Sequence, residues 1–157
     1  MAAANPRLNA SDAVAALIRL NDGRLLMQLR DPRPDIWYPA TWGCFGGAVN
    51  PGEEPLAALY RELHEELEFH PRDARYFTRF DFDFRAIGMI RCYRIFFVVP
   101  MSAAEHARIA LHEGQAHGAF TFDELSRGMP ITPYDAFALD LLRIGEQSGN
   151  ATRENTE

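Results

Sequence analysis

The amino-acid sequence predicts an α/β domain in which helices pack on a mixed sheet. Strand-like apolar runs alternate along the chain with two substantial amphipathic helical patterns, an order that lays helices on a sheet. The 157 residues, 47% hydrophobic and 24% charged, amount to one soluble domain with a real core. No linker or internal repeat divides it.

Residues 1–11 are expected to be a flexible arm. Ala13 to Leu20 is a near-continuous apolar run closed by the turn signal Asn21-Asp22-Gly23, and Arg24 to Arg30 returns, so the two predict a hairpin. Pro32 and Pro34 exclude regular structure from the loop that follows. Trp42-Gly43-Cys44-Phe45 predicts a short strand running into the pair Gly46-Gly47. Pro55 suits the first turn of a helix, and Leu56, Leu59, Tyr60, Leu63 and Leu67 recur at the spacing of one buried stripe.

Ala74 to Phe84 alternates aromatic and polar residues, as a strand does, and Met89 to Pro100 predicts a long central strand. A short helix is expected within 103–111, a loop at His112-Glu113-Gly114-Gln115, and a short strand at Ala119 to Phe122. Thr121 or Asp123 would cap the turn after it. Pro133 to Ile144 closes the domain as a helix, its apolar face drawn from Phe137, Ala138, Leu141 and Ile144. The polar residues 146–157 are expected to be a disordered tail, leaving 12–145 as the domain.

Composition narrows the function. The net charge is −6 and no basic tract occurs, which argues against a nucleic-acid partner. All 16 basic residues are Arg, so lysine-based nucleophiles and phosphate clamps are excluded. Cys44 and Cys92 define no disulfide framework and are expected as free thiols in a reducing cytoplasm. No signal peptide is evident, and no apolar run approaches the ~20 residues that cross a membrane.

The chemistry concentrates between Gly46 and Phe69. Glu62, Glu65 and Glu66 stand at i, i+3 and i+4, neighbours on one helix flank away from the Leu stripe. Like charges so close repel, and a cation between them reverses the sign. Hard carboxylate oxygens suit Mg²⁺, or Mn²⁺, rather than Zn²⁺. A Glu cluster alone is more often a solvated face, so the spacing decides. Gly47, five residues, Glu53, seven residues, then Arg61-Glu62-Leu63-His64-Glu65-Glu66 and Phe69 agree at eight of nine fixed positions with the Nudix box, G-x5-E-x7-R-E-U-x-E-E-x-G-U, where U is apolar. The chain therefore resembles a Nudix hydrolase over roughly residues 12–145. One position departs: Glu68 stands where the box has Gly, a helix-ending residue, and His70-Pro71 is then the alternative stop.

The resemblance implies an α/β/α sandwich with a mixed central sheet. It implies a metal-dependent hydrolase that cleaves a nucleoside diphosphate linked to another moiety, X, with a small nucleotide as substrate. Glu65 and Glu66 would be principal metal ligands, Glu62 would join them or act as base, and Gly47 would offer its backbone carbonyl. Arg61 would hold the carboxylates in place. Glu53 would cap the loop–helix junction or join the metal network. Glu113 matches in sequence place a loop Glu that the family uses as ligand or base, against the alternative of a solvated side chain. Trp37, Tyr38 and Trp42 would stack on a base, form a core patch, or meet a partner in a homodimer. Phe82, Phe84 and Phe96 are assigned to the core.

Arg85 occupies the place of the Pro that marks ADP-ribose-type members, and the coenzyme A-type pattern is absent. A nucleoside triphosphate or nucleotide sugar remains as the substrate class. A Nudix-fold module that binds a nucleotide without cleaving it is the alternative. An isoprenoid diphosphate isomerase is disfavoured, because no Cys is placed as an evident acid.

Overall fold

The computed structural model describes residues 8–154, with side chains up to residue 149. Six strands form one mixed sheet: β1 (Ala13–Leu20), β2 (Leu25–Leu29), β3 (Trp42–Gly43), β4 (Arg75–Asp83), β5 (Arg91–Met101) and β6 (Ala116–Phe120). Their order is β3-β2-β1-β5-β4, with β6 also paired to β2. Only β1 and β5 run parallel; the other pairs are antiparallel. β5 thus lies inside the sheet, as its continuous apolar run requires.

Alternation in β1 explains the sandwich. Val14, Ala16 and Ile18 join Phe45, Ile95, Phe97 and Val99 beneath α1 (Pro55–Leu67), which contributes Leu59, Leu63 and Leu67. Ala15 and Leu17 point the other way, to Leu25, Met27 and Phe96 beneath α4 (Pro133–Glu154), which contributes Ala138, Leu139 and Leu142. A strand covered on both faces reads as unbroken apolar sequence rather than alternation. Two short helices complete the domain: α2 (Ala103–His106) and α3 (Phe122–Ser126), each opened by a capping box, Ser102 with Glu105 and Thr121 with Glu124.

Several expectations are corrected. The buried face of α1 is Ala58, Leu59, Leu63, Glu66 and Leu67, while Leu56 and Tyr60 are exposed. On α4, Phe137 and Ile144 are exposed, and Leu139 and Leu142 are the anchors. In both helices apolar spacing was compatible with two adjacent stripes, and the sheet selected one. β6 starts at Ala116 because its ladder to β2 begins at Leu29↔Ala116. α4 continues to Glu154, so residues 146–154 are helical rather than a disordered tail. Within the expected arm, residues 1–7 lie outside the described residues, and the Asn9 carbonyl accepts a hydrogen bond from the Trp37 indole at 2.8 Å. Among the described residues no helix is long and apolar enough to cross a membrane.

Candidate active site

Gly46 and Gly47 bring the loop after β3 against β1. Gly46 has φ +133°, and a Cβ there would sit 2.2 Å from the Val14 carbonyl oxygen. Only glycine permits that approach. The Gly46 N–H donates to Glu66 Oε2 at 2.8 Å, and Val14 N–H donates to the Gly47 carbonyl at 2.9 Å. A Cβ on Gly47 would lie 2.5 Å from Glu62 Oε2. The glycine therefore makes room for the Glu62 carboxylate itself, a nearer reason than clearance for a metal ion.

Arg61 organises the next layer. Its Nε and Nη2 grip Glu53 at 2.9 Å each, its Nη1 donates to Glu62 at 2.6 Å, and Nη2 also reaches the Ala48 carbonyl at 2.9 Å. Its bidentate partner is thus Glu53 rather than the i, i+3, i+4 trio. Glu53 also accepts the Asn50 N–H at 2.9 Å, and Arg61 holds its carboxyl down to about 2. Glu65 is largely exposed and meets Arg61 only at 3.5 Å.

Glu66 overturns the picture of three rim carboxylates, because it is 2% exposed. Burial, then the charges of Glu113 and Glu62, push its carboxyl up to about 8 against the Gly46 hydrogen bond. Glu62 is also raised, chiefly by burial, with Arg61 opposing. Gln28 of β2, missed in the sequence, bridges the site: its Nε2 donates to Glu66 at 3.3 Å and to the Glu113 carbonyl at 3.0 Å. A lone Gln inside the apolar run LLMQL was the available signal, since a buried amide needs partners. The His112 N–H donates to the Glu66 carbonyl at 2.8 Å, and so the loop carrying Glu113 is tied to the end of α1.

Among the described residues no three His, Cys, Asp or Glu side chains converge as they stand into a group that holds a metal. Of the expected ligands, Glu62 is turned to Arg61 and Glu66 to Gly46 and Gln28. The donor chemistry nevertheless fits a hard divalent cation. The charge of Glu113 raises the proton affinity of both Glu62 and Glu66, and a carboxylate fills the space above a bare Gly47.

Beside this edge opens a cavity of about 570 Å³, whose lining includes Gly46, Gly47 and Glu113. Trp37 and Tyr38 line it, as do Phe82 and Phe84, which the sequence assigned to the core. Trp37 stacks on Phe84 with ring centres 5.4 Å apart, and Tyr38 meets the edge of Tyr134 at 5.8 Å. Trp42 lies elsewhere, edge-on to Phe120 at 4.9 Å within the α4-side core.

A mixed sheet covered by α1 on one face and α4 on the other, with a carboxylate edge on α1, is a fold that comparison makes specific. The chain matches the NUDIX domain family over residues 10–142, and it belongs to that family. Among solved structures it is similar to the MutT protein from Methanosarcina mazei Go1, with TM-score 0.71, 19% identity, and 88% of this chain and 96% of that one covered. It is similar to the E. coli ORF135 protein at TM-score 0.69 and 27% identity, covering 87% and 91%. A third is the NUDIX domain of Shewanella oneidensis NrtR complexed with ADP ribose, at TM-score 0.67 and 16% identity, covering 89% and 92%. In sequence, an RNA pyrophosphohydrolase of Cellvibrio japonicus is 38% identical over 61 residues, 38% of this chain. One of Francisella tularensis subsp. mediasiatica is 52% identical over 33 residues, 21% of this chain. These matches span 32% and 21% of the relatives' lengths.

Proposed function

We propose that this chain is a divalent-cation-dependent pyrophosphohydrolase cleaving a nucleoside diphosphate linked to X, where the whole is a nucleoside triphosphate or a nucleotide sugar. The observation that carries the reading is the junction of two unlike surfaces. Gly46, Gly47 and Glu113 belong both to the carboxylate edge and to the lining of the aromatic cavity. A substrate with an anionic diphosphate and a flat ring fits that junction.

Glu62 and Glu66 would hold Mg²⁺ or Mn²⁺, with Glu65 at the rim and the free lone pair of the Gly47 carbonyl. The ion would supply neutralisation of the diphosphate charge and a more acidic water. Arg61 is a positioning residue: it fixes Glu62 while tying α1 to Glu53 and Ala48. The Glu113 carboxylate makes no hydrogen bond among the described residues and is exposed at the cavity, so it is the group best placed to take a proton from the attacking water. Glu62, held by Arg61 at 2.6 Å, is less free to do so. The free cysteines suit a reducing cytoplasm. The net charge of −6 disfavours a long RNA substrate, despite the names of the short-matching relatives.

The test is release of phosphate, pyrophosphate or mononucleotide from a panel of nucleoside triphosphates, oxidised nucleotides, nucleotide sugars, dinucleoside polyphosphates and 5′-triphosphorylated RNA. Each is run with Mg²⁺, with Mn²⁺ and with chelator. Cation-dependent cleavage of one small-nucleotide class is expected. Binding that persists in chelator with no cleavage of any substrate would replace the enzyme by a nucleotide-binding module.

A further inference from the structure

Arg94 of β5, which lines the cavity, is a polar group that the hydrolysis does not use. Behind it, Asp135 at the start of α4 forms an ion pair with it, Nε and Nη2 of Arg94 each 3.1 Å from Asp135 Oδ1. Asp135 is wholly buried, and its other oxygen accepts the Cys44 N–H at 2.9 Å and the Thr132 hydroxyl at 2.6 Å. With four donors on two oxygens the carboxylate is saturated and has nothing to offer a ligand.

Arg94 differs. It lines the cavity, its side chain is 12% exposed, and its Nη1 makes no hydrogen bond among the described residues. The Tyr134 and Phe96 rings lie 4.9 and 5.4 Å from the guanidinium carbon and hold its plane. Arg30, which also lines the cavity, donates its Nε to the Trp37 carbonyl at 3.0 Å and is likewise only a donor. Stacked Trp37, Phe84 and Phe82 supply a wall for a planar ring.

We infer that Arg94 makes this cavity select nucleobases with a carbonyl oxygen at purine C6 or pyrimidine C4, guanine and uracil, over adenine and cytosine, which carry an amino group there. A fixed guanidinium facing a carbonyl makes a charge-assisted hydrogen bond, as Arg does with guanine O6 and N7. Facing an exocyclic amino group it sets donor against donor, both desolvated. Asp135 cannot relieve that mismatch, being saturated, and it prevents the guanidinium from swinging aside. The inference rests on the proposed nucleotide substrate and names its base class.

Calorimetric binding of GMP, UMP, AMP and CMP, in chelator so that no turnover occurs, tests it. GMP is expected to bind at least about tenfold tighter than AMP, and UMP than CMP, a difference of about 1.4 kcal/mol. The paired variant Arg94→Met with Asp135→Asn removes both buried charges together and leaves an amide oxygen for Cys44 and Thr132; there the ratios fall to near one. Equal affinities in the unmodified protein, no binding of any of the four at millimolar concentration, or a variant that keeps the preference overturns the inference. Because the wild-type comparison decides alone, a variant that does not fold leaves the test intact. Base preference without cleavage of any panel substrate sinks the hydrolase reading and leaves this one; cleavage without preference does the reverse.

Discussion

Glu66 stands on the buried face of α1, hydrogen-bonded to Gly46 and Gln28, with its carboxyl pushed up to about 8. Its folded pKa lies above the ordinary 4.5, so in the absence of cation the folded state binds the proton more tightly than the unfolded chain. Stability should therefore be highest below about pH 4.5 as far as this group is concerned, and fall as pH rises towards 8, by at most about 1.4 kcal/mol per pH unit. Denaturant titrations in chelator across that range check the slope, and Glu66→Gln should flatten it. The same variant should lower turnover at least about a hundredfold with the fold retained; an unchanged rate would remove Glu66 from the metal set. At Gly47 the expected effect of Gly47→Ala is displacement of Glu62, whose carboxylate occupies the Cβ position. Turnover should drop at least about tenfold while the melting temperature moves little, since Glu62 sits at the surface of the core. Circular dichroism and initial rates on the same preparations separate the two.

The end of α1 is an element-scale problem that the chain solves in an unusual way. The helix does not run on to His70-Pro71. It stops at Leu67, and Glu68 itself takes the left-handed conformation, φ 53° and ψ 30°, with its N–H on the His64 carbonyl. Phe69 N–H then reaches the Leu63 carbonyl at 3.3 Å, completing the two-bond closure normally built around glycine. A side chain in that conformation costs about 1–2 kcal/mol. Glu68 recovers part through His112, whose Nε2 lies 2.6 Å from its carboxylate, but both groups are more than half exposed and such pairs are worth about 0–1 kcal/mol. Glu68→Gly should accordingly stabilise the protein by about 0.5–1 kcal/mol, seen as a rise of a few degrees in melting temperature. A fall would mean that the His112 contact outweighs the backbone strain. The residue pattern could place a helix stop within three residues here, and no more, because glycine's usual role had passed to a residue whose propensity argues against it.

For the molecule as a whole, cation binding and proton binding compete at one edge. Millimolar Mg²⁺ or Mn²⁺ should raise the melting temperature, because a ligand of the folded state alone stabilises it. The rise should be larger at pH 8 than at pH 5, where protons occupy Glu66 and must first leave. Equal shifts at both pH values would place the cation away from Glu66. What the sequence by itself determined was whatever depends on local spacing: the hairpin, the two main helices, the glycine pair, and the register of Glu53, Arg61, Glu62 and Glu66 that identifies the family. These are short-range relations, written in turn chemistry and in the three- and four-residue period of α1. Tertiary packing decided the rest. It chose Ala58 and Glu66 over Leu56 and Tyr60 for burial, sent Trp42 into the core and Phe84 to the cavity, and joined Arg94 to Asp135, 41 residues apart. Which of two adjacent helix stripes meets the sheet, and which aromatic on an edge strand faces a cavity, depends on partners far away in the chain, and the energies of burial and ion pairing act only once those partners meet.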